Sequence, residues 1–170
     1  MLALLFSLAL CVAPHPNSHP NSHSSSRVVV TGRHIELQFR CQSLSLAESI
    51  AGIDRDGNKS FNASELRDAG DAIANYVLAH YELFPDGVQA APLPGVLVDW
   101  QTSMTSDSAF AEQLVDARFE FTSQRDLERL SLRVAVFRQA NPYHRDTATI
   151  VWNDDAPASW LFGEIGRAHV

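Results

Sequence analysis

Six oxygen-bearing residues recur in one short segment of the chain, at alternate positions that end in a glutamate. They are Asp54, Asp56, Asn58, Ser60, Asn62 and Glu65. Calcium prefers six to eight oxygen ligands drawn from carboxylates, amides and backbone carbonyls. A loop with this spacing can wrap around a single ion, so the segment predicts a calcium site.

The segment resembles the calcium loop of EF-hand proteins, and the resemblance implies a part for each position. Asp54, Asp56 and Asn58 would each supply one side-chain oxygen. Ser60 would offer its backbone carbonyl, and Glu65 would bind with both carboxylate oxygens. Asn62 would bind directly or through a water molecule.

Two residues depart from that pattern. Lys59 stands where glycine is usual because the backbone takes a positive φ, and Phe61 replaces a more usual aliphatic residue. Gly57 frees the tight turn, and Phe61 is expected to point inward. Only three of the ligands are carboxylates, and Arg55 and Lys59 add positive charge next to the loop. We therefore expect weak calcium binding, at Kd values of about 10⁻⁴–10⁻³ M. The alternative without metal is a surface turn before a helix that is capped by Asn62 or Ser64.

The start of the chain predicts export. Residues 1–13 form an apolar run of the length typical of a signal peptide, and residues 14–26 are a polar leader rich in His, Ser, Pro and Asn. Cys11 lies in the predicted signal, which leaves Cys41 without an intrachain partner. Because Cys41 alternates in phase with Ile35 and Leu37, we expect it to be a buried thiol.

Residues 164–170 back-translate to a sequence that resembles a sequencing-adapter read. We therefore expect this segment to be a non-native tail, and we expect one β-rich domain over residues 27–163.

The hydrophobic pattern predicts an α+β fold. It favours a mainly antiparallel, β-sandwich-like domain with an inserted EF-hand-like helix-loop-helix segment. The predicted strands are 27–31, 33–41, 96–100, 115–122, 129–138 and 147–152. The predicted helices are 44–51 and 63–81, on either side of the loop 54–65.

Several function classes are disfavoured. The net charge of −7 provides no electrostatic footprint for nucleic acid. There is no nucleophile motif, no phosphate-binding glycine loop and no zinc spacing. His144, which precedes a predicted strand, is interpreted as a surface or packing residue. The sequence therefore favours a domain that is not an enzyme.

The order of motifs resembles the extracytoplasmic N-terminal region of HupE/UreJ-type bacterial membrane proteins. A His-Pro leader is followed by a strand pair, the segment 44–48, the loop and an amphipathic helix, and later by Pro142-Tyr143-His144-Arg145. The resemblance implies that a multi-helix membrane domain follows in the full-length protein. Relatives carry names linked to hydrogenase or urease accessory roles and to metal transport.

These features predict a periplasmic or extracellular domain in which calcium is structural. One alternative is a metal-capturing ectodomain of a truncated membrane permease, with His15, His19 and His23 binding a transition metal. Another is a protein-interaction module that uses a sheet edge or exposed tryptophans.

Overall fold

The computed structural model describes residues 22–93, 101–104, 113–153, 155–162 and 166–169. The strands are β1 (His23–Thr31), β2 (His34–Gln42), β3 (Tyr81–Pro85), β4 (Gln101–Met104), β5 (Gln113–Thr122), β6 (Leu130–Val134), β7 (Arg145–Trp152), β8 (Ala158–Phe162) and β9 (Gly166–His169). The helices are α1 (Ser43–Ser49) and α2 (Ala63–His80). The α+β class predicted from the sequence is confirmed.

The strands form a six-stranded sheet in the order β4-β5-β2-β1-β7-β8 and a three-stranded sheet in the order β3-β6-β9. The larger sheet is mixed. Strands β1 and β7 run parallel to each other, whereas every other pair of neighbouring strands in this sheet is antiparallel. A parallel pair needs a long connection between its strands. In this chain that connection contains both helices and the metal-loop candidate.

The hairpin of β1 and β2 follows from strict alternation of apolar residues. Val28, Val30, Ile35 and Leu37 are fully buried, and the strands are joined by a turn in which Gly32 has φ +58°. That φ lies in the region where a side chain is strained, so glycine suits the turn. The inward face of the sheet joins one hydrophobic core that also includes side chains from both helices and from β3 and β6.

Helix α2 begins with a capping box. The side chain of Asn62 accepts hydrogen bonds from the backbone N–H groups of Ser64 and Glu65, while Glu65 accepts one from the N–H of Asn62. The helix buries one stripe, formed by Leu66, Ala69, Ile73 and Val77. It ends at His80, and β3 starts at the next residue, Tyr81.

Several boundaries differ from the sequence prediction, and strands β3, β4 and β8 were not predicted. β1 begins at His23 rather than at residue 27, because Ser24 and Ser26 extend the alternating buried face into the polar leader. The strand predicted over 129–138 ends at Val134, and Phe137 beyond it has φ +61°. β3 directly follows α2 and was missed because its few residues continue an apolar helical pattern.

Some of the predicted features lie in residues outside the described part of the chain. The signal peptide at 1–13 and the strand at 96–100 lie outside the described residues, as do His15 and His19. Gly166–His169, in the segment expected to be a tail, pairs with β6 as strand β9.

Of the helices in the described part of the chain, none is both long and apolar enough to cross a membrane.

Candidate metal centre

The loop between α1 and α2 brings three carboxylates together. One oxygen from each of Asp54, Asp56 and Glu65 lies within 4.8 Å of the others. Asp56 is exposed and Asp54 is half-buried, whereas Glu65 is 4% exposed. Carboxylate oxygens at this separation match the chemistry that hard cations such as calcium require.

Glu65 is held by the backbone at both ends of the loop. One carboxylate oxygen accepts a hydrogen bond from the N–H of Arg55 at 3.1 Å, and the other accepts one from the N–H of Asn62 at 3.0 Å. The same side chain therefore fixes the first turn of α2 and reaches back to the start of the loop. Its position next to the helix N-terminus also favours a negative charge there.

The two aspartates are fixed by the loop itself. Asp54 accepts the backbone N–H groups of Gly57 and Lys59, each at 2.9 Å. Asp56 accepts the backbone N–H of Asn58 at 3.0 Å and its side-chain amide at 2.7 Å. These contacts orient both carboxylates without help from distant parts of the chain.

Two of the other three predicted ligands, Asn58 and Asn62, use their side-chain oxygens in hydrogen bonds to the backbone. The side-chain oxygen of Asn58 accepts the N–H of Ser60 at 2.7 Å, and that of Asn62 caps the helix. The capping predicted in the metal-free alternative is therefore confirmed for Asn62. Ligation by Asn58, Ser60 and Asn62 stays a prediction.

The backbone of the loop takes the conformation that the sequence predicted. Gly57 has φ +73° and Lys59 has φ +63°. A Cβ atom at Gly57 would meet no atom within 4 Å, so this position requires the backbone angle rather than space. Lys59 is not a glycine, so its positive φ carries a modest cost in free energy.

Distant residues anchor the second half of the loop. The hydroxyl of Ser43 donates to the carbonyl of Lys59 at 3.0 Å. The side-chain amide of Gln113, at the start of β5, accepts the N–H of Phe61 at 2.6 Å and donates to its carbonyl at 2.7 Å. Phe61 is 3% exposed, as expected of an inward-pointing residue. Because these contacts hold residues 59 and 61, they fix the peptide units on both sides of Ser60.

A second polar group, the serine–histidine–aspartate cluster, lies buried between β1 and β7. Its members are Ser22, Ser24, Ser26, Tyr81, His144 and Asp146, each at most 5% exposed. Ser24 donates to Asp146 at 2.6 Å, and Ser26 donates to the other carboxylate oxygen at 3.3 Å. The hydroxyls of Tyr81 and Ser26 lie 2.8 Å apart.

Both ring nitrogens of His144 make hydrogen bonds to serine hydroxyls. Because the hydroxyl of Ser24 donates to Asp146, its oxygen accepts from Nε2–H of His144 at 2.8 Å. In the neutral imidazole, Nδ1 then accepts from Ser22, whose oxygen lies 2.5 Å away. Ser24 thus stands between the imidazole and the carboxylate, whereas a catalytic triad places the imidazole in the middle. His144 is 1% exposed, so of the two positions that the sequence favoured, surface or packing, it occupies the buried one.

Burial controls the ionisation of this region. Burial raises the pKa of Asp146, against the opposing hydrogen bonds from Ser24 and Ser26 and the positive charge of Arg138. Burial likewise raises the pKa of Cys41, with smaller contributions from Asp116 and Asp146. Cys41 is 2% exposed, which confirms the predicted buried thiol.

The serine–histidine–aspartate cluster was not predicted from the sequence, although the sequence contains a signal for it. Ser22, Ser24 and Ser26 alternate in phase with Val28 and Val30, so a longer period-two pattern would have placed them on the buried face.

No protein-family model matches the chain, and no curated protein matches it.

Proposed function

We propose that this chain is a calcium-binding domain without catalytic activity, in which the ion is structural. The proposal depends on the gathering of Asp54, Asp56 and Glu65 oxygens within 4.8 Å in a loop with the spacing of an EF-hand. Asn58, the carbonyl of Ser60 and Asn62 complete the proposed ligand set.

The hydrogen bonds already made by the carboxylates are compatible with a bound ion. An ionised carboxylate offers about four acceptor sites on its two oxygens. Each oxygen of Asp54 and of Glu65 accepts one backbone N–H, which leaves acceptor capacity on every oxygen. The backbone therefore orients the carboxylates, and their remaining lone pairs can coordinate calcium.

A structural part for the ion follows from where the ligands lie. Asp54 and Asp56 belong to the start of the loop, whereas Glu65 belongs to the first turn of α2. Calcium would therefore tie the loop to the helix, and Gln113 already ties the loop to β5. A single loop held in this way would fix the helix rather than expose a groove, as two coupled hands do in sensors.

We extend the proposal to the setting of the site. The domain would be a β-sandwich-like body with an EF-hand-like insertion formed by α1, the loop and α2. It would be exported to the periplasm or the cell exterior, where calcium at millimolar concentration occupies even a weak site. The resemblance to HupE/UreJ-type proteins supports this location and a membrane domain in the full-length protein.

Isothermal titration with calcium tests the proposal through Glu65→Gln. Glutamine keeps the capping box but removes the charge, so the variant separates ligation from helix capping. Wild type should bind one calcium ion with a Kd of about 10⁻⁴–10⁻³ M, and Glu65→Gln should lose binding. Asp71→Asn, which removes an exposed α2 carboxylate outside the loop, is the matched control and should bind like wild type. Equal heats for wild type and Glu65→Gln would refute calcium binding at this loop.

A further inference from the structure

The outward face of the six-stranded sheet carries an open groove of about 580 Å³ that is rich in arginine. Arg27, Arg40 and Arg118 line it together with the carboxylate of Asp116. The whole chain has a net charge of −7. On such an acidic protein, an arginine attracts an anion most strongly where its charge is not already balanced by a nearby carboxylate.

Two of the three arginines are held in place by carboxylates. Arg40 donates to both oxygens of Asp116, from Nε at 2.5 Å and from Nη2 at 3.0 Å. Arg118 donates from Nη2 to Glu36 at 2.5 Å and also contacts Glu120 at 3.3 Å. These ion pairs fix the side chains that form one wall of the groove, and they occupy its carboxylates.

Arg27 is the exception. Among the residues that the structure describes, no carboxylate lies within ion-pair distance of its exposed guanidinium. Its partners in register on the adjacent strands are Gln38 and Thr149, which are uncharged. The groove therefore contains one arginine whose charge and donor groups are available to a ligand.

The side chains around Arg27 leave room above it. Ser25 precedes it on the same face of β1, and Thr149 lies beside it on β7. Both side chains are short and carry hydroxyl groups. The volume of the groove falls in the range of about 300–1,000 Å³ that is usual for small-molecule sites.

We propose that this groove binds a small oxyanion, either a carboxylate or a phosphate group, with Arg27 as its principal contact. A guanidinium presents two parallel N–H donors that match the oxygens of such a group. The hydroxyl of Ser25 supplies a further donor at the edge of the groove, whereas the hydroxyl of Thr149 shares a hydrogen bond with that of Ser159 at 3.0 Å. The charges of Arg40 and Arg118 are balanced by Asp116, Glu36 and Glu120, so the uncompensated positive charge of the groove belongs to Arg27.

NMR titration of the whole chain at constant ionic strength tests the proposal, with acetate and inorganic phosphate as separate probes. Saturable shifts of the backbone amides of Arg27, Gln38 and Thr149 are expected with at least one probe. Saturation by one probe alone identifies the ligand group as a carboxylate or as a phosphate. The absence of saturable shifts at tens of millimolar with both probes would overturn the site.

Two variants separate specific binding from general charge screening. Arg27→Gln should weaken binding by roughly tenfold or more, as expected for the loss of a charge-assisted bidentate contact. Arg33→Gln removes an equally exposed arginine in the turn between β1 and β2, and it should bind like wild type. Equal weakening in both variants would show that net charge, and not the groove, attracts the anion.

Discussion

The acidic loop and the buried serine–histidine–aspartate cluster hold their carboxylates in opposite ways. In the loop, every hydrogen bond to Asp54 or Glu65 comes from a backbone N–H within ten residues along the chain. In the cluster, Asp146 is held by Ser24 and Ser26 side chains, 122 and 120 residues away. The loop can therefore form its site locally, whereas the cluster exists only when the whole sheet has assembled.

The two regions also differ in what their carboxylates can still do. The loop aspartates are partly or fully exposed and keep lone pairs that can reach an ion, whereas Asp146 is 1% exposed and surrounded by protein groups. A buried polar group must be hydrogen-bonded to avoid a large desolvation cost. These differences are compatible with the proposed binding of an ion by the loop and with a structural role for the cluster.

The largest expected effect is on the cluster. Asp146→Ala should lower the free energy of unfolding by about 2–4 kcal/mol, because it strands the hydroxyls of Ser24 and Ser26 in the interior and leaves a cavity. Urea denaturation of wild type and variant measures the loss. Asp116→Ala, which breaks an exposed ion pair in β5, should cost less than about 1 kcal/mol. Similar losses of unfolding free energy in the two variants would show that the cluster contributes no more to stability than an exposed ion pair does.

Calcium should stabilise the loop by a smaller amount. At a tenfold to hundredfold excess over Kd, a ligand that binds only the folded state adds about 1.4–2.7 kcal/mol. Calcium should therefore raise the Tm of wild type and leave that of Glu65→Gln unchanged. If the two regions are energetically independent, Asp146→Asn should gain as much from calcium as wild type does. A calcium effect that vanishes in Asp146→Asn would show that the regions are coupled.

The pH dependence of stability should report the burial of Asp146 in the cluster. Since burial raises the folded-state pKa of Asp146 above its ordinary value of 3.8, the folded state binds this proton more tightly than the unfolded state. The stabilisation is complete below pH 3.8 and is lost as the pH rises through the folded-state pKa. Wild type should therefore lose stability relative to Asp146→Asn as the pH rises across that window. Parallel pH profiles in chemical denaturation would contradict the assignment.

The smallest expected effect concerns Lys59. Lys59→Gly relieves the positive φ and should stabilise the calcium-free protein by up to about 1 kcal/mol. It also removes a positive charge from the loop, so the calcium Kd should fall. Lys59→Asn removes the charge but tolerates the same φ less well than glycine, which separates the two contributions. Unchanged stability and unchanged calcium affinity in both variants would argue against any cost at this position.

The same contrast explains how much the sequence could predict. The backbone conformation at Gly57 and Lys59 was predicted correctly, and Asn62 was one of the two predicted caps, because these features depend on neighbours within a few residues. The anchor from Gln113 to Phe61 spans 52 residues, and no local pattern points to it. The α+β class followed from alternation along the strands, whereas the parallel pairing of β1 with β7 depends on tertiary packing that alternation does not encode.

The parallel pairing of β1 with β7 also has a consequence for synthesis of the protein. The hairpin of β1 and β2 contains mostly local contacts and can form early, but one edge of β1 has no partner until residues 145–152 emerge from the ribosome. An unpaired strand edge is a template for association with other chains. During that interval the nascent chain is exposed to association with other chains. Pairing with β7 covers the edge and brings Asp146 to Ser24 and Ser26.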